Sequence, residues 1–167
     1  METQKFELKD WEMPETGVIV SENEEWFLIQ SIPVDFKVDG YKLIAKKHLE
    51  DQYASVEEEL IDRVLELRNF KPTVPAFFEW GTTAKMLQNI EKQFGLVEFQ
   101  TQDEEELFYG KKLQFSVKKM NMDMVFTDGT LDTEYDEVVD VEQIRVITFD
   151  TDYFNAIALL MVDSNKL

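Results

Sequence analysis

The sequence predicts a β-rich α+β protein, in which two small antiparallel barrels, each followed by a helix, are joined by a helical, proline-containing connector. Short apolar runs separated by turn residues recur along the 167-residue chain. An Asp-Gly dipeptide falls at a similar place in each half, at Asp39–Gly40 and Asp128–Gly129. Each half also ends in a segment of helical periodicity. Residue identity between the halves is weak, so one merged β-rich domain is the alternative.

The first half contains three predicted strands, at residues 17–20, 26–32 and 41–45. Pro33 ends the second strand, and the turn dipeptide Asp39–Gly40 precedes the third. A helix then begins at Ser55, because Ser55 and Glu58 have the spacing of a capping box. An apolar stripe at helical spacing follows, formed by Val56, Leu60, Val64 and Leu67 and widened by Ile61.

The second half contains five predicted strands, at residues 96–101, 112–117, 122–127, 135–139 and 143–149. Residues 83–94 have the periodicity of a helix that stops at Gly95, and residues 153–161 predict a closing helix with Asp152 as N-cap. Two prolines in residues 69–75 indicate a linker. The predicted domains are residues 1–70, a connector at residues 71–95, and residues 96–167.

Two stretches resemble Sm-like small β-barrels. "GVIVSENEEWFLIQSIPVDFKVDGYKLI", residues 17–44, looks like the opening of one five-stranded barrel. "EQIRVITFDTDYFNAIALL", residues 142–160, looks like the closing segment of a second barrel. The resemblance implies a tandem Sm-like protein, similar to bacterial proteins of unassigned function. Sm-like barrels often bind RNA through basic and polar loops, but carboxylates replace those loops here, so no RNA site is carried over.

The composition excludes several classes of function. The chain has 35 acidic and 17 basic residues and a formal net charge of −18. Nucleic-acid binding needs clustered Lys and Arg, and here basic residues stand singly or in short pairs, such as Lys46–Lys47, Lys111–Lys112 and Lys118–Lys119, among acidic ones. The absence of cysteine excludes disulfides and thiolate chemistry. Neither an apolar run of membrane-spanning length nor a signal segment is seen, which predicts no membrane partner and a cytoplasmic location.

Two segments look like parts of catalytic motifs but lack a required residue. "VFTDGTLDT" resembles the opening of haloacid-dehalogenase-type phosphatases, but Phe126 stands where their nucleophilic Asp belongs, and a hairpin turn explains the segment. "FDTD" could bind a divalent metal, but helix capping accounts for Asp150 and Asp152. His48 is the only histidine and cannot build a multi-histidine site. We therefore predict no catalytic residue, metal ligand or cofactor.

Negative charge is concentrated in residues 122–152, which hold ten carboxylates and one basic residue, Arg145. A solvated acidic surface is the simplest interpretation, and a surface for a basic partner is the functional one. The candidate interaction face consists of Asp132, Glu134, Asp136, Glu137 and Asp140. A second candidate contact is aromatic, formed by Phe77, Phe78 and Trp80, for which a core plug is the alternative.

These features favour a non-enzymatic cytoplasmic binding or adaptor module with a protein partner, and the acidic charge favours a basic one. An immunity-type inhibitor of a basic toxin or nuclease is a narrower alternative, since opposite charges would speed association. An enzyme that uses carboxylates with a divalent metal is a third hypothesis. The sequence does not specify the oligomeric state.

Overall fold

The computed structural model describes residues 1–165 of the chain. The chain divides into two compact units, Met1–Pro75 and Ala76–Leu167. Ten strands and three α-helices lie in the described part. Within it, no helix has the length and apolar character needed to cross a membrane.

The first unit contains five strands and one α-helix. They are β1 (Thr3–Leu8), β2 (Glu15–Glu22), β3 (Trp26–Ser31), β4 (Tyr41–Ala45), β5 (Leu49–Tyr53) and α1 (Val56–Leu67). The strands are antiparallel in the order β5-β1-β2-β3-β4, and a 3-10 helix, Lys46–His48, separates β4 from β5. The predicted capping box is present. The Ser55 hydroxyl accepts backbone N–H groups of the first turn, and the Glu58 carboxylate accepts the Ser55 backbone N–H at 2.8 Å.

The second unit contains two further α-helices and five strands. They are α2 (Thr83–Phe94), β6 (Val97–Gln100), β7 (Phe108–Ser116), β8 (Lys119–Val125), β9 (Leu131–Asp140), β10 (Val146–Phe149) and α3 (Asp152–Ser164). The order is β10-β6-β7-β8-β9, again antiparallel, with a 3-10 helix, Val141–Gln143, before the fifth strand. Each unit therefore places its fifth strand beside its first, so the similarity of order between the halves extends to the strand pairing.

The prediction of two small Sm-like barrels, each followed by a helix, is wrong. The strands form an open antiparallel sheet, and three α-helices accompany it. A barrel closes only when its terminal strands pair. In the described residues, β4 does not pair with β5, and β9 does not pair with β10. The Sm-like stretches specify turns and strands, whereas closure depends on curvature and register, which those local signals leave open.

The core of the first unit explains which side of α1 is buried. Ile61 and Leu65 pack with Val18 of β2 and Ile32, which follows β3. Of the predicted stripe, only Ile61 lies in this core, since Val64 is half-buried and Val56, Leu60 and Leu67 are 68%, 56% and 65% exposed. The periodicity correctly predicts an amphipathic helix, but most of the predicted stripe faces solvent.

The second unit has a core rich in phenylalanine. Phe94, at the end of α2, lies 6.1 Å from Phe149 of β10 and 5.4 Å from Phe154 of α3, measured between ring centroids. Gly95 ends α2 with a left-handed conformation (φ 76°), as the sequence predicts. The N-cap of α3 is Thr151 and not Asp152, because the Thr151 hydroxyl accepts the Phe154 backbone N–H at 3.0 Å.

Candidate functional site

The strand β9 lies at an edge of the sheet. It is ten residues long and, among the described strands, pairs with β8 alone. An edge strand presents a row of backbone N–H and C=O groups that no neighbouring strand satisfies. All five residues of the predicted acidic face belong to this strand. The edge therefore combines negative charge with an open backbone.

The direction of the β9 backbone groups follows from the pairing with β8. The Val141 N–H donates to the Lys118 carbonyl at 3.0 Å, so residue 141 faces β8. Hydrogen-bonding direction alternates along an antiparallel strand. The backbone groups of Asp136, Val138 and Asp140 are therefore directed away from β8, toward the open edge.

The register shows which acidic side chains share a face. Asp140 lies opposite Lys119, and Asp136 lies opposite Asp123. Residues two or four apart in a strand project from the same face, so Asp136 and Asp140 share one face. Their directly paired residues, Asp123 and Lys119, project from that face as well. Glu137 lies opposite the buried Met122 and belongs to the other face. Of the five predicted residues, the regular part of the strand thus places only Asp136 and Asp140 on the same face.

Asp132 and Glu134 lie in an irregular part of β9. Four residues of β9 separate Leu131 from Asp136, whereas only one residue of β8 separates the residues paired with them. The Asp132 carboxylate accepts the Glu134 backbone N–H at 3.0 Å, which stabilises this local bend. The bend places these two carboxylates outside the regular ladder.

Two lysines neutralise part of the acidic surface. The Lys119 ammonium lies 3.7 Å from the Asp140 carboxylate, and the Lys112 ammonium lies 3.4 Å from that of Asp123. Asp136 faces the like charge of Asp123 across the ladder and is exposed. Like charges directly opposite each other destabilise a sheet, so a positive group on the open side of Asp136 would be favourable.

Apolar groups accompany the carboxylates at this edge. The side chains of Tyr135 and Val138 are both more than half exposed. A cavity of about 240 Å³ adjoins the strand, and its lining includes Phe108, Glu137, Asp140 and Gln143.

The predicted aromatic contact is divided between two environments. Phe77 packs edge-to-face on Phe94 at 5.5 Å and on Phe149 at 5.6 Å, so it belongs to the core of the second unit. Phe78 and Trp80 form a separate edge-to-face pair with centroids 4.9 Å apart, and both are partly exposed. The three rings therefore do not form one contact surface.

The phosphatase-like segment is a hairpin turn between β8 and β9, as the sequence predicts. The Thr130 hydroxyl and backbone N–H donate to the Asp128 carboxylate at 2.6 and 2.9 Å, and these bonds lower the pKa of Asp128. Gly129 supplies the left-handed turn conformation, with φ at 85°. Over residues 1–165, no group of three or more His, Asp or Glu side chains could hold a metal ion.

The first unit contains a buried charged cluster that the sequence does not predict. Glu58 is fully buried, and its carboxylate lies 3.4 Å from the Lys5 ammonium, which also contacts Glu57 at 2.7 Å. Burial alone would raise the pKa of Glu58, but hydrogen bonds from Ser55 and the charge of Lys5 lower this pKa below 4.5. The capping box was visible in the sequence, whereas the Lys5 partner on β1 depends on the fold.

Comparisons with protein-family models, curated proteins and solved structures gave no match to this chain.

Proposed function

We propose that this chain is a non-enzymatic, cytoplasmic protein-binding module whose β9 edge pairs with a basic strand of a partner protein. The observation that supports this proposal is the ten-residue edge strand β9, which has outward backbone groups and acidic side chains. In strand addition, main-chain hydrogen bonds provide affinity and the alternating side chains provide specificity. This edge has both elements.

The charge of the edge favours a basic occupant over a second copy of the same strand. Two β9 strands side by side would bring carboxylates such as Asp136 and Asp140 against one another, and facing like charges are unfavourable. A strand carrying Lys or Arg would instead face Asp136, which already lies opposite Asp123. Charged edge residues also protect an open sheet from self-aggregation.

An immunity-type inhibitor of a basic toxin or nuclease is the narrower form of this proposal. The formal net charge of −18 favours it, because long-range attraction accelerates encounter with a basic protein. The same β9 edge would then bind a basic surface of the toxin.

Removing one outward N–H from the edge tests the backbone contribution. The probe is a ten-residue peptide of alternating lysine and valine, with an alternating glutamate and valine peptide as its control. Proline at an exposed edge position leaves the ladder on the other side intact. We expect Val138→Pro to weaken binding of the lysine peptide about tenfold, the effect of one lost hydrogen bond at the upper end of its range.

Val138→Ala is the matched control, because it keeps the N–H and shortens the same side chain. It should change the dissociation constant less than about threefold by fluorescence anisotropy. Equal binding of the two peptides, or equal affinity of the proline and alanine variants, would contradict pairing at this edge.

Neutralising Asp136 separates charge recognition from stability. Asp136→Asn should weaken binding of the lysine peptide about threefold to tenfold, by loss of a charge-assisted contact. It should also raise the free energy of unfolding by a few tenths of a kcal/mol, since it removes the repulsion from Asp123. Glu24→Gln, at an exposed carboxylate of the first unit, is the control and should leave the affinity unchanged. Unchanged binding by Asp136→Asn would exclude recognition of a basic strand by this face.

A further inference from the structure

The two faces of the β9 edge differ in chemistry. The polar face consists of three β9 residues and the β8 residues paired with them: Asp136 with Asp123, Val138 with Asn121, and Asp140 with Lys119. The opposite face, the cavity face, carries Val139, which is buried and lies opposite the buried Met120. Because a strand that joins a sheet continues both of its faces, alternate side chains of a partner strand meet these two different surroundings.

The 240 Å³ cavity beside β9 lies on the cavity face. Phe108 of β7 is two residues from Gly110, which pairs with Met124 of β8. Met124 is in turn four residues from Met120, which pairs with Val139. Paired residues, and residues two or four apart in one strand, project from the same face. Phe108 and Val139, which both line the cavity, therefore share that face.

The size and position of the cavity suit a side chain of an added strand. Pockets for free small ligands measure about 300–1,000 Å³, and this cavity is smaller. Its walls are Thr101 and Gln102, which follow β6, on one side and residues 137–140 of β9 on the other. A partner residue opposite Val139 projects from the same face as Val139 and so reaches the cavity from within its own strand.

We propose that the partner strand is amphipathic, with basic side chains on the polar face and apolar side chains on the cavity face. This inference rests on the proposed function and adds to it the side-chain pattern of the partner. Lysine or arginine opposite Asp136 and Asp140 faces carboxylates that are in contact with solvent. An apolar side chain opposite Val139 packs into the cavity beside Phe108 and is removed from water.

Two peptides of equal length and composition test this pattern. The alternating lysine–valine peptide places all its lysines on one face, whereas KKVVKKVVKV places lysines and valines on both faces. We expect the alternating peptide to bind about tenfold more tightly by fluorescence anisotropy, the effect of burying about one valine side chain. Equal affinities would overturn the amphipathic pattern while leaving the proposed function intact, because both peptides are basic strands. Failure of both peptides to bind would overturn the proposed function as well.

Glu137→Gln determines which face of the peptide carries the lysines. Glu137 lies opposite Met122 and belongs to the cavity face. With lysines on the polar face, Glu137→Gln should leave the dissociation constant of the alternating peptide within about threefold, whereas Asp136→Asn weakens binding. A larger loss in Glu137→Gln than in Asp136→Asn would place the lysines on the cavity face and overturn the proposal.

A carboxylate added to the cavity wall tests the apolar contact. Thr101→Asp should reduce the preference for the alternating peptide at least about threefold, because it puts a charge beside the buried valine. The ratio of the two affinities is the readout, since added negative charge attracts both peptides alike. Thr73→Asp, at an exposed threonine of the first unit, is the control and should keep the native ratio. Circular dichroism establishes that both variants are folded. An unchanged ratio in Thr101→Asp would exclude the cavity as the site of the apolar side chain.

Discussion

Gly129→Ala is expected to lower the free energy of unfolding by about 3 kcal/mol, the combined cost of a strained turn residue and an overpacked contact. Gly129 has φ at 85°, a conformation that alanine adopts only with strain. A methyl group there would also meet the backbone of α3, 2.3 Å from the Leu160 carbonyl carbon and 2.4 Å from the Met161 nitrogen. Because the contacted atoms belong to the helix backbone, they cannot shift easily. The free-energy cost of this contact therefore adds to the cost of the strained turn conformation.

Urea denaturation of the full chain measures this loss. Gly81→Ala is the matched control, because a methyl group there would reach only the flexible Lys85 side chain, at 3.4 Å. We expect that control to stay within about 0.5 kcal/mol of the native chain. A Gly129→Ala variant as stable as Gly81→Ala would show that the β8–β9 turn does not rest against α3.

Glu58→Gln is expected to cost about 1–3 kcal/mol at neutral pH, at or below the lower end of the roughly 3–5 kcal/mol for breaking a buried ion pair, because Lys5 keeps Glu57 as a partner. Glutamine keeps the volume and can still accept the Ser55 bonds of the capping box, so the change isolates the charge that faces Lys5. Glu57→Gln is the control, because the Glu57 carboxylate binds the same lysine but is 74% exposed. Exposed ion pairs contribute about 0–1 kcal/mol, so the control should lose less.

The effect of Glu58 should depend on pH in one direction. The pKa of Glu58 is lowered in the folded chain from the ordinary value of 4.5, so its charge stabilises the fold at higher pH. This contribution is lost as the pH falls through 4.5 toward the folded-state pKa. The native chain should therefore lose stability more steeply than Glu58→Gln below about pH 5, and the two curves should converge in acid. Parallel curves from pH 7 to pH 3 would contradict the buried ion pair.

Much of the local structure could be predicted from the sequence, because its signals are short-range. The Ser55–Glu58 capping box, the Asp128–Gly129 turn and the Gly95 stop each depend on a few neighbouring residues. Closure of the sheet could not be predicted in this way. It depends on whether strands distant in the sheet pair with each other. In the described residues, the fourth and fifth strands of each unit do not pair.

The candidate site was predictable only in part for the same reason. The acidic composition of β9 is visible in the sequence, but the register with β8 decides that Asp136 and Asp140 share a face while Glu137 does not. In α1, both possible stripes are apolar. Periodicity alone does not choose between them, and the choice follows from the fit of Ile61 and Leu65 against Val18 and Ile32.

Hydrogen exchange of the β9 amides, measured by NMR with the lysine–valine peptide, tests the proposed function most directly. Saturating peptide should slow exchange about tenfold or more at Asp136, Val138 and Asp140, because their N–H groups gain partners. The amides of Glu137 and Val139, which face β8, should change little. Unchanged exchange at the three outward amides, or protection centred on another strand, would contradict binding at the β9 edge.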